Sequence, residues 1–205
     1  MKLFIKISLL LLPAFVQAQQ QRKQLESLRM ASGYAANDTI RMDVYDQLAY
    51  YFYEVNADSS FFYAERELQI ARQLKLKVYE ANALMSKGYD LTFLTDYPKA
   101  LESFLESQKI LEDPACEKTV WHFSTSLSPR EVRISLLNTL HYLTSLLYNF
   151  VENKAKSLSS ILKAKSYAES IRDTAAIGFV YWELCIIFSI QLTAHHSPLT
   201  IKRLL

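Results

Sequence analysis

Three glycines in 205 residues, Gly33, Gly88 and Gly178, limit what this chain can fold into more than any other feature. Both the P-loop and the dinucleotide-binding fingerprint need clustered glycines, because the backbone must approach a phosphate closely. These three are far apart. Few glycines and five prolines also argue against a turn-dense β fold, whose tight hairpins draw on special backbone angles. Half of the residues are apolar, 13 are Tyr and 11 are Phe, which excludes long-range disorder. A long helical chain remains, with enough apolar surface for one domain and an all-α fold.

The 23 basic and 21 acidic side chains include Lys2 and Lys6, both in a stretch that reads as a removable leader. Without it the chain is neutral, and a neutral chain with no basic run lacks the footprint for nucleic acid. Residues 1–18 have the leader pattern: Lys2 and Lys6, then an apolar run from Ile7 to Phe15, then Val16-Gln17-Ala18 before Gln19-Gln20-Gln21. The apolar run is shorter than the roughly 20 residues a membrane span needs. The expectation is export to the periplasm or the extracellular space, with cleavage after Ala18. Residues 19–39 read as a leading helix (Gln20 to Met30) and a linker broken near Ala35 to Thr39.

The clearest periodicity lies at Asp96 to Leu105. Tyr97, Ala100, Leu101, Phe104, Leu105 and Leu111 share one helical stripe, with Asp96 as cap and Pro98 in the first turn. Tyr79 to Leu94 is a second helix with Gly88 near its middle. Glycine there costs about 1 kcal/mol against alanine, so close approach of a neighbouring helix is expected. The two helices form an antiparallel hairpin.

Gly88, Leu91, Tyr97, Ala100 and Phe104 resemble a tetratricopeptide repeat. Departures are Lys87 in place of the repeat's leucine, Leu91 in place of its first aromatic, and Leu84 at its tryptophan site. Copies occur elsewhere. Leu48-Ala49, Phe52, Ser60 and Ala64 mimic the pattern earlier, and Ser145, Tyr148, Ser157, Ile161 and Ala164 mimic it later. Ala100 lies 40 residues after Ser60, and Ser157 lies 57 after Ala100, which makes the polar stretch Glu112 to Arg130 an insertion of 17. Gly88 lies 28 after Ser60, so the next small slot falls 28 after Ser157, at Cys185, with Tyr181 at the tryptophan site and Phe188 at the aromatic one. The resemblance covers about residues 40–205 and implies an α-α superhelix. Its hairpins fall near 42–74, 77–111 and 135–171, with an incomplete fourth over 174–205. Asp58-Ser59-Ser60-Phe61-Phe62-Tyr63-Ala64-Glu65 resembles the exported N-terminal repeat region of bacterial sensor histidine kinases and regulators. That likeness implies a second reading, the truncated sensor portion of a membrane-bound signalling protein without its output domain.

Such repeats bind on the concave face of their first helices. Carried over by hairpin, that face implies Asp46, Tyr50 and Tyr53, then Asn82, Met85, Tyr89 and Thr92, then Tyr142 and Asn149. Gly88, Ala100, Phe104, Ser145, Tyr148, Ala164 and Cys185 are implied as repeat packing. The lysine-and-asparagine clamp that some such repeats use on carboxylates is not matched. The implied role is non-enzymatic protein or peptide binding, without cofactor, metal or nucleic acid.

Alternative chemistry finds little support. Of His122, His141, His195 and His196, only the last two are close, and adjacent side chains point apart. No Gly-x-Ser-x-Gly elbow exists. The acid pairs Asp43/Asp46 and Glu65/Glu67 read as solvated helix faces. Residues 175–192 are apolar enough to suggest an inner-membrane anchor with Lys202-Arg203 behind it, but Glu183 would sit near mid-bilayer. Cys116 reads as a free thiol in a polar stretch, and Cys185 as a shielded thiol packed toward Ile161 and Ala164.

Overall fold

Four of the turns between helices share one chain geometry. Lys75, Thr95, Glu152 and Arg172 each adopt a left-handed backbone, with φ between 55° and 64°. The residue after each donates its backbone N–H five residues back: Leu76 to Ala71, Asp96 to Leu91, Asn153 to Tyr148, Asp173 to Ala168. This is the Schellman arrangement, which satisfies the last carbonyls of a helix. In three of the turns the same residue then caps the next helix. Asp96, Asn153 and Asp173 accept from the backbone N–H of Lys99, Lys156 and Ala176 through their side chains. A two-residue reversal leaves adjacent helices antiparallel neighbours.

The computed structural model describes residues 22–53, 55–120 and 126–195, with side chains as far as 187. The expected leader lies outside the described residues, as do His122, His196, the side chain of Phe188 and the tail from 196. Among the described residues the chain is all-helical. A helix over 22–34 (α1) precedes α2 (Asp38–Phe52), α3 (Ala57–Gln73), α4 (Lys77–Phe93), α5 (Tyr97–Glu112), α6 (Pro129–Phe150), α7 (Lys154–Ser170) and α8 (Thr174–His195). Each helix packs on the next, giving hairpins α2–α3, α4–α5 and α6–α7 in a solenoid-like array, with α8 packed against α7. The first helices α2, α4 and α6 also touch across hairpins, so they line a common face.

Small residues set the crossing within each hairpin. A Cβ built on Gly88 would lie 2.6 Å from Cε1 of Phe104, so only glycine lets α4 and α5 close on that ring. In the first hairpin the Ser60 hydroxyl donates to the Ala49 carbonyl at 3.0 Å. In the third, the Ser145 and Ser157 side chains lie 2.9 Å apart, and the Ser145 hydroxyl reaches the Ser157 carbonyl. Ala64, Ala100, Phe104, Ile161 and Ala164 are buried, as the repeat pattern expects. Tyr148 is half-buried beneath the Lys156 ammonium, 5.3 Å from its ring centre.

Cys185 departs from expectation: it is exposed, and Tyr181 beside it is half exposed. The expected slot does not face α7. Gly88 shows that the small slot of a first helix meets the second helix of its own hairpin, here α5. The face toward the preceding hairpin is the one five residues earlier, where Ala83 of α4 packs with Leu68 of α3. In α8 the corresponding residue is Val180, which packs with Ile161 and Ala164 together with Leu184 and Ile187. Cys185 therefore points away from α7.

Cys116 is the reverse case. The inserted stretch forms a 3-10 turn over Pro114–Thr119 that folds back over the start of α4 and α6, burying Cys116 to 4% exposure between Val78 and Val132. Arg133 ties the turn down, donating to Glu117 at 2.7 Å and to the Leu111 carbonyl at 3.0 Å. Both cysteines are free. No described helix is long and apolar enough to cross a membrane. In α8 Glu183 is buried and accepts from the Asn149 amide at 3.1 Å, as a hairpin helix allows and a lipid-facing one does not.

Candidate binding site

The common face of α2, α4 and α6 carries a cavity of about 230 Å³. Helical spacing explains its lining. Asp46, Ala49, Tyr50 and Tyr53 recur at steps of three and four along α2, Asn82, Met85 and Ser86 do so on α4, and Thr139, Tyr142 and Leu143 on α6. Ser60 closes one side. A second cavity of about 380 Å³ shares Thr139 and Tyr142 with the first and continues to α8, along Ser135, Asn138, Asp173, Ala176, Phe179 and Val180. The two cavities adjoin at Thr139 and Tyr142 and together make up the groove of the first-helix face.

Six of the residues implied for binding line the first cavity: Asp46, Tyr50, Tyr53, Asn82, Met85 and Tyr142. Tyr50 is 80% exposed and supplies the open wall. Its ring stacks near Tyr53 with centroids 6.2 Å apart, and Tyr53 stacks flat on Tyr89 at 3.7 Å. Tyr89 is thus spent in packing. It is buried under Tyr53 and against Phe93, where it fixes the ring that does line the groove. Thr92 is not available either: it is buried, and its hydroxyl donates to the Gly88 carbonyl one turn back. Asn149 holds Glu183 and lines neither cavity.

The floor is acidic. The Asn82 amide donates to Asp46 at 3.0 Å and stands 3.5 Å from Glu67 behind it. Glu67 is fully buried on α3, so it is not part of a solvated face, whereas Glu65 pairs with Lys87 near the surface as expected. Glu67 Oε2 finds no hydrogen-bond partner among the described residues, nor does either carboxyl oxygen of the fully buried Asp90. Burial pushes Asp90 up to about 7, against a smaller lowering by the nearby Ser60 hydroxyl. Burial likewise raises Glu67 well above the carboxylate range, with the charge of Asp46 adding to it. Asp46 is raised by burial against the lowering by Asn82. Burial first, and then the Tyr89 hydroxyl, hold the Tyr53 phenol far above its usual value.

Thr139 and Ser86 were not foreseen as lining, although each sits one turn or less from a foreseen neighbour, Tyr142 and Met85. Asp90 and Glu67 gave no sequence signal, because an acid on a helix reads as solvated until its neighbours are known. His141 is buried, stacked on Tyr167 with ring centres 5.6 Å apart, and burial lowers it to about 4. No group of three or more His, Cys, Asp or Glu side chains among the described residues is placed to hold a metal ion. No protein-family model matches this chain, and no curated protein matches it.

Proposed function

We propose that this chain is a non-enzymatic binding module of tetratricopeptide-like hairpins, exported by its leader, that takes a peptide or protein segment along the groove of its first helices. The groove carries the reading. Its two cavities adjoin at Tyr142 and Thr139, and the first is walled by tyrosines, which bring large rigid area and a hydroxyl at low entropic cost. A second reading, the sensor portion of a longer signalling protein, is favoured by the apolar outer face of α8. Tyr181, Trp182 and Cys185 are exposed there, on a surface that a further helix would cover.

The test is selection from a random-peptide library, followed by fluorescence anisotropy with the selected peptides. Tyr50→Ala removes an exposed groove side chain and should cost roughly 2 kcal/mol, about thirtyfold in Kd. Leu105→Ala, on an exposed site of α5, should change nothing. Peptides that ignore Tyr50→Ala and lose affinity on Leu105→Ala would move the site off the groove.

A further inference from the structure

From the groove's charge and its aromatic walls we infer that its occupant is cationic: a lysine or arginine side chain of a bound polypeptide, seated over Asp46 between Tyr50, Tyr53 and Tyr142. The inference rests on the groove reading above and specifies the chemistry of what enters it.

Charge is the first ground. Asp46 lines the first cavity and Asp173 the second, and no lysine, arginine or histidine lines either. The nearest cation on α4, Lys87, is turned to Glu65 at 2.6 Å and stands 5.7 Å from the Phe61 ring centre. The protein's own cations therefore leave this surface unneutralised.

Buried unpaired acid is the second. Behind Asn82 lies Glu67, and behind Ser60 and Tyr53 lies Asp90, both fully buried, with three carboxyl oxygens between them lacking a hydrogen-bond partner among the described residues. Burial without a counter-charge disfavours the ionised form, and an incoming cation relieves that penalty. The upward shifts of Asp46, Glu67 and Asp90 follow from that same burial.

Aromatic geometry is the third. Tyr50 and Tyr53 present stacked rings on one wall, and Tyr142 stands on the other side. A cation over a tyrosine face is attracted by the ring quadrupole, more strongly where water is thinned. The thioether of Met85 completes an apolar cup for the methylene stem of lysine or arginine, which buries its stem while keeping the charge on polar groups. Since no trio of ligating side chains converges here among the described residues, an organic cation fits better than a metal ion.

Methionine is the reporter. Met85 lines the cup, Met42 is fully buried beside Ile70 and Tyr79, and Met30 is exposed on α1. In protein labelled with carbon-13 at the methionine methyls, the Met85 signal can be followed while terminally blocked alanine-rich decapeptides are added to millimolar concentration. The decapeptides carry lysine, arginine, norleucine or glutamate at the centre. The lysine and arginine peptides should move Met85 with at least about tenfold tighter Kd than the norleucine peptide, and the glutamate peptide should be weakest. Met42 and Met30 should stay still. Asp46→Asn should erase the preference for cations, with an unmoved Met42 signal reporting an intact fold. Tyr50→Ala, at an exposed site that folding does not need, should weaken the lysine peptide as a second arm. If norleucine or glutamate peptides move Met85 as well as lysine does, the cationic assignment fails while the groove reading stands. If no peptide moves Met85, the cationic assignment also fails, and library selection against Tyr50→Ala decides the groove by itself.

Discussion

Replacing Gly88 by leucine forces a side chain into the place where α4 and α5 cross. The first carbon alone would lie 2.6 Å, 2.7 Å and 3.1 Å from three atoms of the Phe104 ring. Carbon contacts are comfortable at about 3.5 Å or more, so the ring must retreat by roughly 1 Å. That retreat disturbs the core, because Phe104 is 1% exposed inside the central cluster with Leu137 and Leu140. For alanine, overpacking of about 1–3 kcal/mol is offset by about 1 kcal/mol of gained helix propensity, leaving a net loss of about 0–2 kcal/mol. Leucine adds three more carbons to the same space, so the loss should reach about 3 kcal/mol or more. For a domain of this size that lowers Tm by roughly 6–12 °C. Thermal unfolding followed by circular dichroism measures it. A double variant, Gly88→Leu with Phe104→Ala, should lose less than the sum of the two single changes, because leucine would occupy the space the ring leaves. An unchanged Tm for Gly88→Leu, or strict additivity in the double variant, would refute the packing of this hairpin.

Thr95 holds φ at 64° with a β-branched side chain, a conformation that glycine adopts without cost, so Thr95→Gly should stabilise the fold by about 1 kcal/mol in urea titration. Asp90 sets a pH dependence. Its folded pKa, near 7, is raised above the ordinary 3.8, so its share of stability is fully present below about 4 and lost as the pH rises through 7. His141 works the other way: lowered from 6.5 to about 4, it costs stability as the pH falls between those values. Asp90→Asn should therefore gain stability over wild type at pH 8 and little at pH 4; equal gains at both would mean the carboxyl titrates normally. A thiol reagent on native protein should label exposed Cys185 quickly and Cys116 slowly, since burial both shields the Cys116 thiol and raises its pKa. Equal rates would contradict the folded-back turn over Pro114–Thr119.

Sequence periodicity revealed the hairpins because their crossings depend on local rules. A glycine in mid-helix, or serines spaced like Ser145 and Ser157, mark where two helices nearly touch, and the spacing between such marks sets the repeat. The resemblance, carried over by hairpin, implied Asp46, Tyr50 and Tyr53 of the α2 end, and all three line the first cavity. It could not show which of several inward-facing side chains meet solvent. Tyr89 lies one turn from Met85 on α4, yet Tyr53 covers it, and that contact joins residues on different hairpins. Cys185 failed for a similar reason. The period gives a position on α8, but which neighbour that position faces is a property of the array rather than of the spacing. The buried acids Glu67 and Asp90 were least legible, because an unpaired carboxyl in the core runs against every compositional expectation.

The claim on which the rest depends is that ligands lie along the first-helix face. Benzophenone photo-crosslinking measures this directly. A p-benzoylphenylalanine placed at Tyr50, on the groove wall, is compared with one placed at Leu105 on α5, each with a library-selected peptide, and the products are read by mass spectrometry. The account predicts a peptide adduct from position 50 that unlabelled peptide competes away, and none from position 105. Adducts from position 105 with none from position 50 would contradict it.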